Sequence, residues 1–102
     1  MPALKPPTTR RWDFLSSHAH VFLCVANDPG IRLRDIAEAV GITERGAHKI
    51  LSDLVDEGYV ERERAGRRNN YKVKPELHLR HPLVQDREVG DLLTVLLTPR
   101  AT

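Results

Sequence analysis

Apolar positions recur at helical spacing in three parts of this chain and alternate in a fourth. Between about Arg10 and Asn27 they sort, at ~100° per residue, into two stripes. Trp12, Leu15, Ala19, Phe22, Leu23 and Ala26 form one. Phe14, Val21 and Val25, with His18 among them, form the other. Asp13, Ser16, Ser17, His20, Cys24 and Asn27 make the polar remainder, and Asp28-Pro29-Gly30 is a turn that ends the helix. A helix apolar on two sides has two neighbours. One stripe is expected to meet the core and the other a second copy of the chain. The alternative is that a carboxy-terminal helix of the same chain covers both.

From Leu33 to Glu57 the pattern predicts two shorter amphipathic helices. Leu33, Ile36, Ala37 and Val40 line the first. Gly41 stops it, because a residue without a side chain enters the left-handed conformation cheaply. Ile42 reads as a buried plug between the two, and Thr43 can cap the second through its hydroxyl. Ala47, Ile50, Leu51, Leu54 and Val55 share one side of that helix, and Gly58 closes it. A short helix, a glycine turn and a capped second helix make a helix-turn-helix. Upstream, Ile31 to Leu33 is a candidate short strand. Arg32 stands where a capping Ser or Thr is favoured, so the helix after it starts late or is capped otherwise.

Tyr59 to Pro75 alternates on both sides of a Gly/Asn-containing centre, a hairpin signal. Tyr71 and Val73 fall on one face, Lys72 and Lys74 on the other, and Pro75, with no amide hydrogen, ends the pairing. Residues 77–85 are irregular around Pro82. Helical spacing returns at about 86–98, with Val89, Leu92, Leu93, Val95, Leu96 and Leu97 apolar, a stripe too broad for one resting surface. The expected fold is α+β, mainly α: a mobile arm at 1–9 and one domain at 10–98, with the helix-turn-helix at about 33–57, the hairpin at about 59–75 and the last helix at about 86–98.

Composition narrows the function classes. The 102 residues are 40% hydrophobic and 29% charged, ordinary for one modest domain. No apolar run approaches the ~20 residues needed to span a bilayer. The start has no apolar signal core, so no export and no membrane partner are expected. A single cysteine cannot form an internal disulfide, and the cytoplasm is the expected setting. The net charge of +2 with a pI near 9.0 is only a weak pointer to nucleic acid. Where the cations lie matters more.

The order of helix, short strand, helix, helix, hairpin, helix resembles the winged helix-turn-helix of small bacterial and archaeal transcription regulators of the MarR and ArsR types. The residues that carry the resemblance are PGIRLRDIAEAVGITERGAHKILSDLVDEGYVERERAGRRNNYKV, about half the chain. GRRNNYKV followed by LRHPL and VGDLL also resembles a short form without a separate ligand domain. The resemblance implies a homodimer, paired through first and last helices, that acts at palindromic double-stranded DNA operators. Phe14, His18, Val21, Val25, Val89, Leu92, Leu93 and Leu96 are then the expected dimer contacts.

On the helix after Gly41, Arg45, His48, Lys49 and Ser52 lie beside or opposite the apolar stripe, with Thr43 and Gly46 at its leading end. A helix of this width fits the major groove, where Arg and Lys donate to guanine O6 and N7. Gly46 lets the backbone approach closely, although family members often have Ser or Thr there. Arg67, Arg68, Asn69 and Asn70 are expected at the hairpin tip. There they suit a narrow minor groove, with Arg62, Arg64, Lys72 and Lys74 behind them. Glu61 and Glu63 offset these as cross-strand pairs. One alternative is a weakly selective architectural DNA-binding protein. Another is a winged helix used for protein contact, which the acids Asp53, Asp56 and Glu57 favour slightly.

His18, His20 and Cys24 invite a metal reading, with His78 or His81 completing a site across a dimer. Only His20 and Cys24 share a side of the helix, and no metal or other cofactor is expected. A lone thiol with no adjacent cation, Cys24 is expected to be inert. No glycine-rich phosphate loop, H-E-x-x-H or G-x-S-x-G occurs, so no catalytic residues and no enzyme activity are expected. A small-molecule effector between subunits, among Trp12, Phe14 and the last helix, is left open.

Overall fold

The structure, a computed structural model, describes residues 12–97. The arm expected at 1–9 lies outside them. Six elements follow in order: α1 (Ser17–Asn27), α2 (Leu33–Val40), α3 (Glu44–Asp56), β1 (Val60–Ala65), β2 (Arg68–Val73) and α4 (Gly90–Leu97). The fold is mainly helical, with one two-stranded antiparallel sheet.

The first helix begins at Ser17, well after the Arg10 that periodicity suggested. Ser16 is extended and its Oγ accepts the Ala19 amide at 3.2 Å, so the serine acts as a cap. Trp12 and Phe14 precede the helix and are exposed, their rings edge to face 5.2 Å apart. The two-stripe pattern has a different cause from the one expected. α1 is packed by α2, α3, β2 and α4 of its own chain. Val21 and Val25 are fully buried there, beside Phe22 and Cys24, so neither valine has surface left for a second copy. The same holds for Val89, which is buried against the core. Cys24, assigned to the polar side, is buried because α1 is covered nearly all round.

Between α2 and α3 the expected chemistry is present. Gly41 is left-handed at φ 85°, and the amides of Gly41 and Ile42 both bond to the Ala37 carbonyl. Thr43 caps α3, its Oγ1 accepting the Gly46 amide at 2.9 Å. Ile42 is half-buried rather than a sealed plug. Arg32 takes the cap position of α2 without a side-chain hydrogen bond. Ile36, Ala37, Ala47, Leu51 and Leu54 fill the core between these helices and α1. Burying a side chain such as Ile36 or Leu51 contributes about 1.5–3 kcal/mol.

The hairpin pairs Val60 with Val73 and Ala65 with Arg68. Only Gly66 and Arg67 remain between the strands. Positive φ at Gly66 (66°) and not at Arg67 is the II′ pattern that matches the strands' twist. Val60, Tyr71 and Val73 share the face toward the core. Ile31 to Leu33 is not a third strand. The preceding turn replaces it: the Pro29 carbonyl accepts the Tyr71 amide at 2.9 Å, too brief a contact for a ladder.

Residues 77–89 fold back on themselves. The Leu79 amide bonds to Arg87 and the Val89 amide to Leu77, at 3.0 and 2.7 Å. Their other anchors are the Tyr59 hydroxyl on the His78 carbonyl and Arg80, paired with Glu57 and stacked over the Tyr59 ring. This fold-back occupies the first residues of the helix expected from 86, so α4 starts at Gly90. The Gly90 amide bonds to the Pro75 carbonyl at 2.9 Å. A Cβ at Gly90 would lie 2.8 Å from that oxygen, so only glycine fits this approach. Among the described residues no helix is long and apolar enough to cross a membrane.

Candidate nucleic-acid interface

The apolar side of α3 is locked into the core through Ala47, Leu51 and Leu54, which turns the opposite side outward. Arg45, His48 and Lys49 are exposed there and Ser52 is half-buried. Their spacings of three and four place them on one face. Thr43 and Gly46 sit at the leading end, joined by the capping bond.

One of these cations, Lys49, differs from a free donor. Lys49 Nζ lies 2.7 Å from Asp53 Oδ1, one turn along, and His18 Nε2 from α1 lies 2.9 Å from the other carboxylate oxygen. The hydrogen bond from Lys49, then that from His18, holds the Asp53 carboxyl below its ordinary range. The same bond raises the Lys49 ammonium. His18, expected in a dimer contact, is thus engaged within its own subunit. Arg45 has no ion-pair partner among the described residues.

At the hairpin, Arg67 alone of the expected tip residues is in the turn. Arg68, Asn69 and Asn70 lie within β2, because the two-residue turn is tighter than the sequence centre suggested. Arg68 reaches back to the Gly30 carbonyl at 2.9 Å and ties the hairpin to the α1–α2 turn. Glu61 faces Lys72 in register but bonds to Lys74 at 3.0 Å, a diagonal pairing that raises the Lys74 ammonium.

A crevice of about 440 Å³ separates α3 from the hairpin. His48, Arg67, Arg68 and Asn69 line it together, so the structure joins these four expected site residues. Arg45, Lys49 and Ser52 do not line it. Asn70 belongs to a second, adjoining hollow of about 340 Å³, which shares Gly30, Arg32, Arg68 and Asn69 with the first and adds Asp28 and Asp35. There it faces acids and a turn, a setting different from the tip expected for it.

Residues 21–61 match the family model described as winged helix-turn-helix DNA-binding. The chain contains a winged helix-turn-helix. Among solved structures it is similar to the PcaV transcriptional regulator from Streptomyces coelicolor, crystallised in complex with its natural ligand. The identity is 22% and the TM-score 0.53; the match covers 86% of this chain and spans 64% of that one. No curated protein matches the chain. The expected fold class stands: a mainly helical winged helix, with α3 as its recognition helix and the β1–β2 hairpin as its wing.

The winged helix also brings in Arg32, which sequence reasoning left out of the site, and Arg62, which it set behind the hairpin tip. Arg32, at the start of α2, and Arg62, opposite Tyr71 on β1, both line the crevice. The signal for Arg32 was its presence at a cap position where arginine cannot cap. For Arg62, alternation marked a face of the hairpin but not what that face opens onto.

The rejected metal residues stay apart. Among the described residues no group of three or more His, Cys, Asp or Glu side chains is placed to hold an ion. Burial pushes the Cys24 thiol up, which disfavours the reactive thiolate.

Proposed function

We propose that the protein is a homodimeric regulator of transcription in the cytoplasm that binds double-stranded DNA with sequence preference. α3 would enter the major groove and the wing would reach the flanking backbone and minor groove. The observation that carries this reading is the single exposed face of α3, bearing Arg45, His48 and Lys49, beside a cation-lined wing. Side chains of this type read base edges in the major groove, while the wing's guanidinium groups supply phosphate and minor-groove contacts.

Pairing of two copies is supported by apolar surface left uncovered on α4 and before α1. Val95 is 77% exposed, Leu96 45% and Phe14 94%. Joining these patches would bury them, and a dimer that reads two half-sites one turn of duplex apart holds its recognition helices about 34 Å apart.

Selection of bound fragments from random duplex, followed by competition with unrelated duplex, tests the reading. A regulator yields a shared sequence and keeps it against a large excess of competitor. Equal displacement by any duplex points to an architectural protein, and no retention of duplex to a protein-contact module.

A further inference from the structure

We propose that His18 is a positioning residue that sets, by gaining or losing a proton, how freely Lys49 of the recognition helix can leave Asp53. His18 stands on α1 and Lys49 on α3, and each takes one oxygen of the same carboxylate. His18 Nε2 lies 2.9 Å from Oδ2 and Lys49 Nζ 2.7 Å from Oδ1. Both donors are exposed, so solvent protons reach His18 and Lys49 can swing outward.

Its two donors hold the Asp53 carboxyl below its ordinary range, so it stays charged near neutral pH. An ionised carboxylate only accepts, so His18 Nε2 carries the hydrogen that it shares with Asp53. Nδ1 is then the atom that takes a further proton from solvent. Imidazole is the side chain whose ordinary charge change falls between about pH 5 and about pH 8. While His18 is neutral, Lys49 carries the only positive charge on the carboxylate. A charged His18 balances the carboxylate from the other oxygen and repels the ammonium. Lys49 is then held less tightly, and the three-residue cluster gains one positive charge. Of the other acids on α3, Asp56 acts on Lys49 with the smallest effect. On α1, His20 lies about 200° further round the helix. Among the described residues no charged group of α2, β2 or α4, the other elements packed on α1, pairs with His18. What the released ammonium does rests on the DNA-binding reading, in which protonation of His18 tightens duplex binding. The coupling of His18 to Lys49 does not rest on it.

The test compares the wild type with His18→Gln, Lys49→Gln and the double variant. The amide of His18→Gln can still donate to Asp53 but gains no charge. Duplex affinity is measured from about pH 8 to about pH 5.5 at constant low salt, across the range where imidazole titrates. Separately, without DNA, the Lys49 Cε and His18 ring resonances are followed over the same range. Both side chains are exposed, so folding should survive, and a thermal melt checks it. As pH falls, the wild type is expected to gain about two- to fivefold more affinity than His18→Gln, the scale of an exposed ion pair. That extra gain should vanish once Lys49 is replaced, so Lys49→Gln and the double variant should share one pH profile. His48 is present in all four proteins, so the comparison removes its contribution. In the free wild type the Lys49 resonance should move as His18 titrates, and in His18→Gln it should not. Equal profiles for the wild type and His18→Gln, with duplex binding intact, overturn the proposal. A gain from His18 that survives the loss of Lys49 also overturns it, because His18 then acts on the duplex directly. If the wild type ignores duplex at every pH while Lys49 still follows His18, the coupling stands and the duplex reading falls. A Lys49 resonance indifferent to His18 removes the coupling, whatever the duplex does.

Discussion

Lys49 and Asp53 form an ion pair along the exposed face of the recognition helix, Nζ to Oδ1 2.7 Å, and Asp53 holds His18 of α1 through its other oxygen. A lysine so placed must leave its carboxylate before it reaches a base or a phosphate. With α3 in the groove as proposed, the carboxylate would also repel the duplex. Asp53→Asn is therefore expected to tighten duplex binding about two- to fivefold at low salt, a gain that fades as ions screen the removed charge. Binding isotherms of the two proteins at low and moderate salt check this. Weaker binding by the variant would mean that Asp53 serves to aim Lys49 rather than restrain it.

The same pair has an acid signature. Asp53 titrates lower in the folded protein than its ordinary 3.8 because Lys49 and His18 donate to it. Its stabilisation is thus fully present above the unfolded value and is lost as pH falls through the lower folded value. Lys49 has the opposite sign: its folded value lies above 10.5, so its share is present below 10.5 and lost at higher pH. Thermal melts from about pH 6 to about pH 2 should show the wild type losing a small advantage over Asp53→Asn across the acid range. Lys49 is exposed and Asp53 lies half-buried at the surface, so the difference should be small and reduced by salt. A constant difference at every pH would assign the effect to something other than titration.

Gly90 has a role that spacing alone did not disclose. Its backbone lies against Pro75, where a Cβ would meet both the ring and the carbonyl oxygen at 2.8 Å. Backbone cannot yield as a flexible side chain does. Gly90→Ala is expected to destabilise by about 1–3 kcal/mol, in the range of overpacked sites. That corresponds to a melting temperature lower by several degrees at ~4–8 °C per kcal/mol. An unchanged melt would show that α4 can shift freely from Pro75.

The helix-turn-helix was legible because its signals are local. Gly41 and Thr43 act on neighbours within a few residues, and both behave in the structure as their chemistry dictates. The wing's existence was legible from alternation, but its tip was not. Whether two or six residues turn depends on how far the strands zip, and here Arg68 to Asn70 are drawn into β2. The burial of Val21, Val25 and Val89 was not legible either. A double stripe on α1 states how many neighbours it has, not whether they belong to the same chain. The crevice joins α2, β1 and the turn across long sequence gaps, so no pattern within one element foretells it.

The proposed pairing of two copies rests on α4, where Leu96 keeps 45% of its surface and Val95 more. A carboxylate at a buried contact between subunits carries a large desolvation cost. Leu96→Glu should therefore shift sedimentation from dimer to monomer while leaving the melt of the subunit nearly unchanged. A wild type that already sediments as a monomer at micromolar concentration would remove the dimer and the expected helix spacing with it.

The most direct measurement is fluorescence anisotropy of a labelled duplex against the wild type, Arg45→Ala and Arg67→Ala over a series of salt concentrations. The expected wild-type result is saturable binding whose logarithm falls linearly with the logarithm of salt. Arg45→Ala should lose about 1–3 kcal/mol on the preferred sequence and little on unrelated duplex. Arg67→Ala should weaken both alike and lower the slope by about one unit. No binding by the wild type at low ionic strength, or isotherms that neither substitution alters, would contradict a duplex-binding surface made of α3 and the wing.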